Sequence, residues 1–209
     1  MKTARLLAAS AAVCLGIGLG GCVTLFPKTK PVQLYSFGSG IGQPTPTPSV
    51  VQTSLVGTLR MTLEFTRAAD REQILTSAGD ANAYISDARW ISPASVLFEE
   101  AANRAFETAN PPIRLLQRGD NGAASLTLHV EVQTFETDYG AGWRGDPTVV
   151  VRVRTLLTRA SDRGPPLEGH FESRKPVGES RVGHIVQAYD AATADVLKQV
   201  VDWTTEHAG

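Results

Sequence analysis

Leu126, Leu128, Val130 and Val132 alternate with Thr127, His129, Glu131 and Gln133. Successive side chains of a strand point to opposite faces, so this period of two describes a sheet with one apolar and one solvated face. Val149–Leu157 repeats the pattern, with Val149, Val151 and Val153 on one face and Arg152 and Arg154 on the other. Leu167–Ser173 reads as a third such strand, with Leu167 and Phe171 inward and Glu168, His170 and Glu172 outward. Opposite charges across an antiparallel pair stabilise it by about a few tenths of a kcal/mol each. Arg152 and Arg154 are therefore expected among Glu131, Glu168 and Glu172.

An apolar sheet face needs a cover. The C-terminal stretch Arg181–His207 supplies it: Val186, Tyr189, Ala192, Val196, Val200 and Trp203 fall on one stripe of a helix. A second helix is expected from Ser92-Pro93, a capping residue followed by a first-turn proline, to about Thr108. Phe98, Ala102, Ala105 and Phe106 share one of its faces, and Pro111-Pro112 ends it. Further strands are read at Pro31–Phe37 (Val32, Leu34 and Ser36 on one face), at Val56–Phe65, and at Gln73–Thr76 paired with Asn82–Trp90 across Gly79-Asp80. A charged turn at Ala68–Glu72 precedes that pair. Gly38–Ser49 is a Gly/Pro/Thr-rich loop. Its glycines superficially resemble a phosphate loop, but Pro44, Pro46 and Pro48 exclude the helix such a loop must enter. The expected fold is α/β: a single domain with a mixed β-sheet, its strands largely antiparallel in the C-terminal half, packed against two main helices.

The N-terminus has a different logic. Lys2 and Arg5 precede an apolar run that closes on Leu19-Gly20-Gly21-Cys22. A basic start, a short apolar run and small residues before the cut make an export signal. The run is too short and too rich in Gly and Ala for a span of about 20 apolar residues. Cysteine after the cut makes this a bacterial lipobox, so Cys22 is expected to become the first mature residue and to carry acyl chains. Several chains, at about 0.8 kcal/mol per buried CH₂, hold a protein firmly. The expected organisation is a signal peptide at 1–21, an acylated tether at 22–30 and a domain at 31–207. Val23, where an Asp can signal inner-membrane retention, points to the outer membrane facing the periplasm.

Composition narrows the function. The chain has 20 Lys+Arg against 21 Asp+Glu; without Lys2 and Arg5 the mature balance is 18 against 21, a net −3. A mildly acidic chain without a basic tract argues against nucleic acid. With Cys14 removed and Cys22 acylated, the mature domain has neither free thiol nor disulfide, and packing must stabilise it. No nucleophile elbow and no H-E-x-x-H motif is present. His129-x-Glu131 and His170-x-Glu172 would form a metal site only if their strands were adjacent; solvated, charge-paired faces are the simpler reading, and no metal or cofactor is expected. Thr137–Pro147 differs, because it sets Tyr139, Trp143 and Arg144 among three glycines. Aromatic residues and Arg dominate binding energetics, so these three are candidate partner-binding residues. Alternatively, Trp143 folds back onto the sheet edge and the glycines only make turns.

These segments together resemble the ABC-type transport auxiliary lipoproteins. The resemblance rests on the lipobox at Cys22, Gln33–Phe37, Arg71–Thr76, Ala83-Tyr84, Ala88-Arg89-Trp90 with a helix directly after, the strand from Leu128 to Phe135-Glu136, and a C-terminal helix ending in Asp202-Trp203. It implies a non-enzymatic role beside an ABC permease and its ATPase, with a substrate-binding protein of the mammalian-cell-entry (MCE) type as third partner. Such systems move phospholipids or other hydrophobic molecules between the two membranes. Self-association into a homo-oligomer is compatible with that role. The alternatives are an envelope-tethered hydrolase and a structural lipoprotein assisting outer-membrane assembly.

Overall fold

The computed structural model describes residues 31–41, 57–109, 111–162 and 164–209. The lipobox, the tether and residues 42–49 of the Gly/Pro-rich loop lie outside these. Val32–Gly209 form one compact unit. Its order is β1 (Gln33–Tyr35), β2 (Gly57–Phe65), β3 (Gln73–Ala78), β4 (Ala81–Trp90), α1 (Ala94–Ala109), β5 (Ile113–Leu115), β6 (Leu126–Asp138), β7 (Thr148–Arg159), β8 (Leu167–Pro176) and α2 (Val182–Glu206).

The described strands form one eight-stranded mixed sheet. β6 is its spine. Along one edge it pairs in parallel with β2 (Leu59↔Leu126 to Phe65↔Val132) and then with β3 (Thr76↔Thr137, Ser77↔Asp138). Along the other it pairs with antiparallel β7, which in turn pairs with antiparallel β8. β3 and β4 form an antiparallel hairpin, β1 adds in parallel to the end of β4, and β5 adds in parallel to the start of β2. β6, β7 and β8 are thus antiparallel to one another, as expected for the C-terminal half, while β6 also takes β2 and β3 from the N-terminal half as parallel partners.

β6 runs six residues beyond the Val132 at which the clean alternation stops. The reason is a bulge at Gln133, where the register to β7 shifts between Val132 and Thr134. One extra residue flips the parity. Leu126, Leu128, Val130 and Val132 are buried before it, and Phe135 and Thr137 after it. Thr137 and Asp138 therefore belong to the strand rather than to the loop expected from Thr137 onward.

α1 and α2 cover one face of the sheet. The core between them and the strands is rich in aromatic rings: Phe37–Trp90 at 4.9 Å, Phe135–Tyr189 at 4.7 Å and Trp90–Tyr189 at 5.2 Å between centroids. These separations suit edge-to-face and tilted packing. Tyr189 is fully buried; its hydroxyl donates to the Leu75 carbonyl at 3.3 Å and accepts from Thr137 Oγ1 at 3.3 Å. Burial pushes its pKa far above the ordinary tyrosine value.

The structure refines three expectations about packing. Leu167 and Phe171 face inward as expected, opposite buried Leu157 and Val153, and Phe171 packs on the core; Leu167 nevertheless stays exposed, because β8 is an edge strand with a neighbour on one side only. Val186 and Trp203 lie at the flanks of the buried stripe of α2, whereas Ile185, Ala188, Leu197 and Val201 are buried. The stripe is wider than a sheet alone would require, since α1 packs against α2 as well. Val32 and Leu34 share a face, but it is the solvent face of β1; Tyr35 and Phe37 point to the core.

The open face carries the foreseen charge ladder. Arg152 Nε donates to Glu172 at 2.7 Å, and Arg154 bridges Glu168 and Glu131, the latter at 3.2 Å. Arg174 extends the ladder to Glu172 at 3.3 Å and Asp138 at 3.5 Å. The hydrogen bond from Arg154 holds the Glu168 carboxyl below the usual carboxylate range, and that from Arg152 does the same for Glu172.

Candidate functional site

Tyr139, Trp143 and Arg144 follow β6 directly, and the register of the sheet fixes where they lie. Pairing of β3 with the end of β6 continues past the strands: Tyr139 donates its amide to the Ser77 carbonyl at 2.8 Å, and Gly79 donates to the Gly140 carbonyl at 2.6 Å. The β3–β4 turn and the β6–β7 connection are thereby joined. Gly79 and Gly140 have φ of 58° and 67°, the left-handed region that glycine enters without a Cβ penalty. Asp138 Oδ1 accepts from the Gly140 amide at 2.7 Å, closing an Asx-type turn before the loop. At the far end the Val177 amide donates to the buried Pro147 carbonyl oxygen at 2.8 Å.

Tyr139 is half-buried, with its hydroxyl 2.9 Å from Ser180 Oγ just before α2. Trp143 rests on the Tyr139 ring, centroids 5.7 Å apart and planes at 49°. It remains 47% exposed, so it leans on its loop partner rather than burying itself at a sheet edge. Arg144 is exposed and makes no ion pair among the described residues. Tyr139 and Trp143 are thus in contact, an indole leaning on a phenol, and the exposed Arg144 follows next in the chain. Chemically this offers apolar area at low conformational cost, one N–H donor and a cation.

The two histidine–glutamate pairs are not brought together. β7 lies between β6 and β8, His129 faces Glu64 at 3.6 Å, and His170 faces Glu168 at 3.0 Å. Among the described residues no three His, Cys, Asp or Glu side chains gather to hold a metal. The Gly38 amide, at the start of the glycine-rich loop, donates to Asp190 at 2.6 Å. Sequence reasoning did not anticipate that Ser180 and the β3–β4 turn hold the Tyr139 loop. Both contacts span dozens of residues, and no local pattern encodes them.

Fold and site together define a small α/β domain, helices on one sheet face and a charged ladder on the other, with an aromatic loop at one end of its strands. The chain belongs to the ABC-type transport auxiliary lipoprotein component family, whose model matches residues 41–201. It is thereby a cell-envelope lipoprotein associated with ABC-type transport. Among solved structures it is similar to a Xanthomonas campestris protein of the DUF330 family model: 21% identity, TM-score 0.69, covering 84% of this chain and 95% of that one. An uncharacterized protein is similar at 13% identity and TM-score 0.63, covering 83% of this chain and 99% of that one. Both likenesses concern the fold. No match is found among curated proteins.

Proposed function

We propose that this chain is the lipid-anchored auxiliary component of an MCE-associated ABC system that moves phospholipids or other hydrophobic molecules across the envelope. It acts by binding proteins, not by catalysis. Residues 1–21 are the signal, Cys22 carries the acyl chains, 22–30 form the tether, and the domain at 31–207 faces the periplasm from the outer membrane. Membership of the family supports the link to ABC transport; the MCE-type protein, the permease and the ATPase are the partners its resemblance implies.

One observation carries the choice of binding over catalysis. Trp143 is half-exposed and packs at a tilt on Tyr139, in a loop tied at both ends to the sheet. A rigidly held exposed aromatic beside an arginine is how a binding hot spot is built. The test is co-purification of the permease, ATPase and MCE-type protein with the chain from membranes. Trp143→Ala is expected to leave the melting temperature unchanged and to abolish that co-purification. A stable variant that still captures all three components removes the loop from the interface.

A further inference from the structure

The two most exposed large hydrophobic side chains among the described residues are Leu34, at 62%, and Ile91, at 60%. They are neighbours. β1 pairs with β4 in the register Leu34↔Arg89 and Tyr35↔Trp90, and the Ile91 amide donates to the Tyr35 carbonyl at 2.8 Å. Tyr35 and Trp90 turn to the core, so Leu34 and Ile91 share the outer face of this corner, with Val32, 44% exposed, two residues before Leu34 on the same face. Arg89, exposed and without an ion pair among the described residues, pairs with Leu34; the acidic Asp87 precedes Ala88, the partner of Gln33. Single exposed hydrophobics need no explanation, but adjacent ones at an edge do.

The position of the corner in the chain says what covers it. Cys22 lies ten residues before Val32, and ten residues reach at most about 35 Å. The intervening sequence includes Lys28 and Lys30. We propose that Val32, Leu34 and Ile91 seat on the lipid surface in which Cys22 is anchored, so that the domain holds one fixed face to its membrane instead of swinging on the tether. The contact is apolar insertion, with Arg89 set toward anionic headgroups. The domain's net negative charge neither supplies nor needs an overall electrostatic attraction. The inference rests on the acylation of Cys22.

The mature acylated chain has no other cysteine, so one introduced thiol can be labelled uniquely. Val32→Cys carrying an environment-sensitive fluorophore is reconstituted into vesicles of phosphatidylethanolamine and phosphatidylglycerol containing doxyl-labelled lipid. Leu167→Cys is the control, since Leu167 is also exposed but lies on β8, at the opposite edge of the sheet. Quenching by the doxyl lipid at position 32 and not at 167 is expected, and Leu34→Glu with Ile91→Glu should reduce it to the level of the control. If the acylated protein floats with the vesicles and position 32 is no more quenched than 167, the seated face is wrong while the anchor stands. If mass measurement finds Cys22 without acyl chains, the anchor fails and takes this inference with it.

Discussion

Gly169 is fixed by its neighbours. A Cβ there would lie 2.9 Å from the Phe171 ring and 2.9 Å from Thr155 Oγ1. Phe171 cannot swing away freely, because its ring packs on Trp203 at 5.9 Å between centroids. Overpacking of this kind costs about 1–3 kcal/mol, so Gly169→Ala should lower the melting temperature by several degrees. Gly142→Ala, where nothing lies within 4 Å, should be nearly neutral. Equal melting of the two variants would contradict this account. The charge ladder nearby makes a separate statement about pH. Glu168 and Glu172 are depressed by Arg154 and Arg152. A carboxyl whose folded pKa is below its unfolded one contributes stability that is present above the ordinary carboxylate range and is lost as pH falls through the depressed value. The pairs are largely solvated, so each contribution is small. Glu168→Gln with Glu172→Gln should therefore flatten the acid limb of melting temperature against pH, while changing little at neutral pH. An acid limb as steep as the parent's would assign acid sensitivity elsewhere.

At the scale of elements, α2 holds the sheet through Tyr189 more than through Trp203. Tyr189 is fully buried among Trp90, Phe135 and the Thr137 hydroxyl; Trp203 is half-buried, between Phe171 and His207. Truncating a buried aromatic costs about 3–5 kcal/mol. Tyr189→Ala should approach that range in denaturant unfolding and Trp203→Ala should fall clearly below it; the reverse order would mean that the C-terminal turns of the helix dominate. The sequence pattern does not rank them, since it places both on one stripe of the helix. What was legible follows from local periodicity: β2, the β3–β4 hairpin, both helices, and the side of β7 that carries Arg152 and Arg154. What was not legible depends on partners distant in sequence. The bulge at Gln133 hides half of β6 because it reverses the parity of the alternation. β5, at three residues, is too short for any period to show, and alternation gives the facing of Leu167 but not that an edge strand leaves it exposed. Tyr139, Trp143 and Arg144 could be picked out as unusual loop composition. Their common anchorage to Gly79 and Ser180 needed the register.

At the scale of the molecule, the apolar corner and the aromatic loop occupy different ends of β3. Leu34 is level with Arg89, which pairs with Gln73 at the start of β3, whereas the Tyr139 loop joins at Ser77, near its end, and at Gly79, just past it. Five residues of strand separate those levels, about 17 Å. A membrane contact and a protein contact can then be occupied at once, which is what an anchored accessory of a transporter requires. This separation makes the two proposed contacts independently removable. The core draws on residues from Phe37 to Ala208, so loss of the anchor at Cys22 should leave packing intact. Cys22→Ala is expected to leave an uncleaved or mislocalised precursor whose domain melts like the parent and still captures the transporter components when mixed with detergent-solubilised membranes. Trp143→Ala is expected to do the opposite, staying with the membrane and capturing nothing. The pair of readouts, membrane fractionation and capture, separates the two roles. A Cys22→Ala chain that still matures and fractionates with membranes like the parent sinks the anchor, and one that is mislocalised but also loses capture in detergent shows that acyl chains and the Trp143 loop act as one surface instead of two.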